Sequence, residues 1–164
     1  MNETLTLEFD GGSRGNPGSA GIGVVVRAQN GTSLVTLGRF IGRCTNNVAE
    51  YRALIAAMLE AKKLGARKIV IRGDSELIVR QMTGQYKVKH PDMKVLWAQA
   101  QASIRGASVT FTWAPRAQNS RADALANEAM DTRIESIRRG QFADDPAAEG
   151  PPLGDGTGGA RGLF

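Results

Sequence analysis

Hydrophobic residues change period along this chain in an order that predicts its elements. The stretch LTLEFD alternates, with Leu5, Leu7 and Phe9 on one face, and predicts a half-buried strand. A glycine-rich loop, GGSRGNPGSAG, follows. GIGVVVRAQ and TSLVTLGRFIG are β-branched runs separated by Asn30-Gly31, a hairpin signal. These three runs predict an antiparallel meander. The period then becomes helical: Asn46 or Asn47 can cap a helix over about residues 48–64, closed by Gly65. Its predicted buried stripe is Tyr51, Leu54, Ile55, Met58 and Leu59. KIVIRGD predicts a strand, and Ser75 a cap for the helix ELIVRQMTG. A further helix is predicted over residues 93–104 with Trp97 in the core. SVTFTWAP then predicts a strand burying Val109, Phe111 and Trp113. A last helix is predicted from Asn119 or Ser120 through RADALANEAMDTRIESIRR. The order β-β-β-α-β-α-α-β-α implies an α/β fold with a mixed sheet, the meander being followed by parallel strands on right-handed crossovers.

Composition divides the chain. Three of its six prolines lie beyond residue 143, in a glycine-rich stretch without apolar periodicity. Such a stretch buries too little surface to offset the entropy of ordering it. Residues 1–140 are therefore expected to be one domain, and 141–164 a disordered tail or linker. That tail holds Arg161 against Asp144, Asp145, Glu149 and Asp155, so the net charge of +5 comes entirely from residues 1–140. A basic body points towards a polyanionic partner. One cysteine, Cys44, excludes an internal disulfide framework, and one histidine, His90, excludes a multi-histidine metal site. No apolar run approaches the roughly 20 residues needed to span a bilayer, and the first residues do not read as a secretory signal. The expected location is the cytoplasm.

Four of the body's acids break its patterns. Asp10 follows the alternating strand, and Asp74 follows KIVIRG. In α/β sheets such strand ends and the loops after them carry chemistry. Glu50 has Ala53, Leu54 and Ala57 as its i+3, i+4 and i+7 neighbours, so it faces the apolar side of its helix. Asp123 sits among Ala122, Ala124, Leu125 and Ala126. Singly, each has an ordinary explanation as a turn cap or a helix N-terminal acid. Together they suggest one cluster, and two carboxylates about 4 Å apart repel by roughly 4 kcal/mol at an effective dielectric near 20. Two divalent cations balance such a set. Oxygen-only ligands select Mg2+ or Mn2+, and the arrangement suits in-line displacement at phosphorus.

The segments FDGGSRGNPG, TNNVAEYRAL, IRGDSELI and APRAQNSRADALA, in this order and spacing, resemble type 1 ribonuclease H over roughly residues 3–135. The resemblance implies the ribonuclease H-like fold, a five-stranded mixed sheet flanked by helices. It implies an endonuclease that cuts the RNA strand of RNA–DNA hybrids, leaving 5′-phosphate and 3′-hydroxyl ends. Asp10, Glu50, Asp74 and Asp123 take the family's Asp-Glu-Asp-Asp positions as ligands of two Mg2+ ions, with Mn2+ as a substitute. Gly11, Gly12, Ser13, Asn16, Thr45, Asn46 and Asn47 match positions that contact the hybrid, including its 2′-hydroxyls. Asn46 or Asn47 can instead serve as a helix cap, and Asn16-Pro17-Gly18 as a turn.

The chain departs from many members in three places. It has no histidine in the loop before the last acid, where Arg116 is the nearest candidate to contact a phosphate; arginine does not shuttle protons at neutral pH. In place of a long basic insertion stands GQYKVKHPDMKVLW, with Lys87, Lys89 and Lys94. Glu76 stands where several relatives have glutamine, and is expected to face solvent. Nothing requires more than a monomer, and a nuclease of this fold acting on another nucleic-acid structure is the rival reading.

Overall fold

The computed structural model describes residues 3–142. They form a six-stranded sheet of order β5-β4-β1-β2-β3-β6. The meander is β1 (Thr4–Arg14), β2 (Gly18–Arg27) and β3 (Ser33–Cys44). β4 (Lys68–Gly73) lies parallel to β1, and β5 (Ser108–Trp113) parallel to β4. β6 (Ser136–Phe142) pairs antiparallel with the outer edge of β3. The helices are α1 (Asn46–Lys63), α2 (Glu76–Met82), α3 (Pro91–Ser103) and α4 (Ser120–Thr132), the last preceded by a 3-10 turn at Arg116–Asn119.

Alternation along the strands divides the core between two faces. Leu5, Leu7, Phe9, Ile22, Val24, Ile69 and Ile71 bury against Tyr51, Leu54 and Met58 of α1. Each such side chain contributes about 1.5–3 kcal/mol of burial, so this face dominates the stability. The opposite face carries α4 over a small cluster of Val25, Ala122 and Leu125. There the sheet is floored by glycine. A Cβ at Gly23 would fall 1.9 Å from the Ala122 carbonyl oxygen, and one at Gly21 2.8 Å from that of Ala126. Without side chains at these positions the α4 backbone lies directly on β2, and Asp123 is brought down to the level of the sheet.

The sheet has six strands rather than the five expected. The last helix stops at Thr132, where Arg133 turns left-handed at φ 58°. The residues after it become β6, because Ile137 pairs opposite Leu37 at an otherwise open sheet edge. This strand also covers Glu60 of α1, which lies outside the predicted buried stripe. Arg139 of β6 and Lys63 bond its carboxylate, at 3.0 and 3.1 Å, and it is 4% exposed. Leu59, expected in the buried stripe, is half exposed, and so is Trp113, because β5 is the other edge of the sheet. Glu76 is exposed as expected and pairs with Arg80. Gln141 and Phe142 end β6; the rest of the expected tail, residues 143–164, lies outside the described residues. Among the described residues, no helix is long and apolar enough to cross a membrane.

Candidate active site

The parallel ladder between β1 and β4 ends at Phe9 opposite Gly73. The next residue on each strand is an aspartate, so Asp10 and Asp74 emerge side by side. β1 itself does not end there: its pairing with β2 continues to Arg14, so Gly11, Gly12 and Ser13 are strand residues and not a loop. α1 docks across this extension. A Cβ at Gly11 would lie 2.3 Å from the Ala49 backbone, so glycine here admits the helix, while one on Gly12 would make ordinary contact, at 3.9 Å, with the Asn46 and Met130 side chains. The close approach lets Gly11 N–H donate to Glu50 Oε1 at 3.0 Å and holds that carboxylate beside the two aspartates.

Asp10, Glu50 and Asp74 each present a carboxylate oxygen within 4.8 Å of the others. Asp123, from the first turn of α4, stands outside that trio. Its side chain hydrogen-bonds Asp10, and its Oδ1 accepts from Arg116 Nη2 at 3.2 Å. Burial, followed by the charges of Glu50, Asp74 and Asp123, pushes Asp10 up to about 9. Asp10 therefore holds a proton at neutral pH, which its bond to Asp123 can use. Burial raises Glu50 to about 7, against the opposing pull of the Gly11 N–H, the Ser75 hydroxyl and Arg116. Asp74 is raised by burial and by Asp123, and pulled down by Arg116 and Asn119. Acids crowded until they take up protons are a ready site for cations. The donors are all oxygen, which fits a hard divalent ion.

The expected substrate residues gather on one side of this cluster. Thr45, rather than Asn46 or Asn47, caps α1, accepting from Val48 N–H at 3.3 Å. Asn46 is thereby released from capping. Its Oδ1 accepts the Ser13 N–H at 2.8 Å and the Ser13 hydroxyl at 3.0 Å. Its own N–H donates to Asn16 Oδ1 at 3.1 Å. Ser13, Asn16 and Asn46 thus form one polar ledge beside Gly11 and Gly12, with Asn47 exposed next to it. Arg116 stands across the cluster, its side chain 77% exposed. Tyr86, Lys87, Lys89, Lys94 and Trp97 line a separate groove of about 530 Å³.

Three residues at the site were not legible as such. Ser75, read only as a helix cap, also hydrogen-bonds Glu50. Trp113, read as core, donates its indole N–H to the Asp74 carbonyl oxygen at 3.2 Å. Asn119, read as a helix start, is 1% exposed and donates to the Phe9 carbonyl oxygen at 2.8 Å. Its position before an amphipathic helix was its sequence signal.

Comparison with known proteins gives a consistent result. A family profile described as reverse transcriptase-like matches residues 8–129. A bifunctional protein of Mycobacterium tuberculosis is 48% identical over 160 residues, which is 96% of this chain and 44% of that protein. The chain thus spans under half the length of its mycobacterial relative. Ribonuclease HI of Halobacterium salinarum is 47% identical over 124 residues, 75% of this chain and 62% of that protein. The crystal structure of RNase H1 from that archaeon aligns with a TM-score of 0.76 at 45% identity, covering 78% of this chain and 98% of that one. LC11-RNase H1, solved in complex with an RNA/DNA hybrid, aligns with a TM-score of 0.75 at 44% identity, covering 79% of this chain and 98% of that one.

Proposed function

The chain belongs to the type 1 ribonuclease H family, and from that premise we propose that it is an endonuclease hydrolysing the RNA strand of RNA–DNA hybrids to 5′-phosphate and 3′-hydroxyl ends. The observation that carries this reading is the convergence of Asp10, Glu50 and Asp74 within 4.8 Å, in a pocket where burial and mutual repulsion leave them short of positive charge.

Asp10, Glu50, Asp74 and Asp123 would hold two Mg2+ ions, with Mn2+ as a substitute. When bound, such ions activate the attacking water and stabilise the charge that develops on the leaving oxygen. The protein's own part is positional. Gly11 N–H and the Ser75 hydroxyl aim Glu50 at the cluster and favour its charged form. Arg116 neutralises Asp123 in the free protein. The Arg116 guanidinium bonds only Oδ1 of Asp123 and is largely exposed, so its other N–H groups can meet a backbone phosphate. Gly11, Gly12, Ser13, Asn16, Thr45, Asn46 and Asn47 are proposed to meet the hybrid. The Ser13–Asn46–Asn16 ledge supplies neutral donors and acceptors suited to ribose hydroxyls and base edges in a shallow minor groove. The lysines of the Tyr86 groove add positive charge for backbone phosphates.

A cytoplasmic monomer is proposed with this activity, and the division of the chain near residue 140 remains a proposal, with β6 ending at Phe142. The test is digestion of an end-labelled RNA–DNA hybrid, duplex RNA and duplex DNA, each with Mg2+ or with a chelator. Cutting of the RNA strand of the hybrid alone, abolished by the chelator, is the expected result. Cutting of duplex DNA in preference to the hybrid would favour the rival nuclease.

A further inference from the structure

Among the described residues, Asn119 is the fully buried amide beside the acid cluster, and its bonds lie where an ordinary helix cap has none. No side-chain cap bond joins it to α4, although it precedes that helix. Its Nδ2 instead donates across the sheet to the carbonyl oxygen of Phe9, the residue before Asp10. The same side chain hydrogen-bonds the Asp74 carboxylate. One amide thereby reaches both strand ends that carry the aspartates. The remaining atom, Oδ1, is buried without a hydrogen-bond partner.

The surroundings hold this amide in place from several sides. Gln118, its chain neighbour, accepts from Arg72 Nη2 at 3.1 Å, and Arg72 in turn lies 3.8 Å from the buried Glu8 carboxylate. The 3-10 turn is thus fastened to β4 beneath it. From the other side, the Trp113 indole N–H holds the backbone carbonyl of Asp74. Asp74 is gripped at its main chain by Trp113 and at its carboxylate by Asn119.

We propose that Asn119 is a positioning residue, whose amide clamps the ends of β1 and β4 and fixes the Asp10–Asp74 spacing needed to hold divalent cations. The inference rests on the proposed function. It adds that the spacing is set by a buried side chain that touches neither substrate nor ion. Hydrogen-bond partners behind metal ligands typically change metal affinity or activity by about 10–100-fold when removed.

The experiment uses the whole chain and the variants Asn119→Ala and Asn119→Asp. The aspartate keeps the shape but removes the donors and adds a negative charge. Three quantities are measured: Mn2+ affinity by calorimetry without nucleic acid, kcat and KM on a labelled hybrid, and melting temperature. Asn119→Ala is expected to weaken Mn2+ binding and lower kcat, each by about 10-fold or more, with KM within about twofold of wild type. Asn119→Asp is expected to lower kcat at least as far. A merely structural residue would lower the melting temperature and leave Mn2+ affinity and kcat unchanged, and that result overturns the proposal. Failure of both variants to fold also overturns it, since Asn119 would then be a folding residue. Wild-type protein that binds no Mn2+ and cuts no hybrid would instead sink the reading of the site itself, and this inference with it.

Discussion

Glu8 and Asp10 sit two residues apart on the same face of the same strand, and both are carboxylates withdrawn from water, yet the molecule treats them in opposite ways. Glu8 is 5% exposed and is met by Arg27 Nε at 3.2 Å and by Arg72 on the neighbouring strand. Asp10 is met by three further acids, and Arg116, whose charge reaches Glu50 and Asp74, bonds Asp123. A buried charge that the fold neutralises itself belongs to the structure. One that the fold surrounds with like charge waits for something from outside. The contrast locates the chemistry at the end of the β1–β4 ladder rather than in its middle.

Exchanging the two carboxylates for their amides tests this contrast most severely. Asp10→Asn is expected to lower hybrid cleavage by about a thousandfold or more, because several kcal/mol of metal-dependent stabilisation are lost. The same change is expected to raise the melting temperature of the metal-free protein by about 3 °C, equivalent to ~1 kcal/mol in a chain of this size, because the amide sits among the other acids without taking up a proton. Glu8→Gln is expected to do the reverse, costing about 3 kcal/mol of stability by leaving two arginines without their carboxylate. Its kcat should stay within a few-fold of wild type. Cleavage assays and thermal melts on both variants decide the matter, and equal effects from the two would erase the distinction.

A second test concerns the floor beneath α4. Gly23→Ala would drive a methyl group into the Ala122 carbonyl, at an expected cost of about 1–3 kcal/mol in a denaturant titration. It would also lift Asp123, so a fall in kcat should accompany the loss of stability. A stable, fully active Gly23→Ala would show that the height of α4 does not matter.

The contrast sharpens with pH. Asp10 at about 9 and Glu50 at about 7 lie above the value near 4 that each has in the unfolded chain. The native metal-free protein therefore holds extra protons between about pH 4 and 9, and its stability should fall as pH rises through that window. Denaturant melts without metal should show the decline, and Asp10→Asn should flatten it. The smallest expected effect belongs to Arg116→Ala, an exposed residue, with a several-fold loss in kcat/KM on the hybrid and little change in stability. A steady-state assay at two salt concentrations would detect it.

The acids were legible in the sequence because each stood where hydrophobic periodicity called for something else. Asp10 and Asp74 broke strand patterns, and Glu50 and Asp123 broke helix faces. The meander and the crossovers followed from local period alone. Strand β6 did not, because SIRRGQF has little alternation and becomes a strand only by pairing with β3. That one omission also hid Glu60, whose cover is Arg139 of the missing strand. Trp113 was misplaced because alternation names the faces of a strand but not whether anything covers them. Asn119 was invisible as a clamp since its partner, the Phe9 carbonyl, lies 110 residues away in sequence. Gly11 was read as a position that meets the hybrid; its missing side chain also makes room for α1, which no local pattern reveals.

The most direct measurement is a titration of the metal-free protein with Mg2+, followed residue by residue in two-dimensional amide NMR spectra. Saturable shifts centred on the amides of Gly11, Glu50 and Ser75 are expected, with little change near Glu60 and loss of the response in Asp10→Asn. Shifts scattered over the surface, or a response that survives in Asp10→Asn, would contradict that expectation.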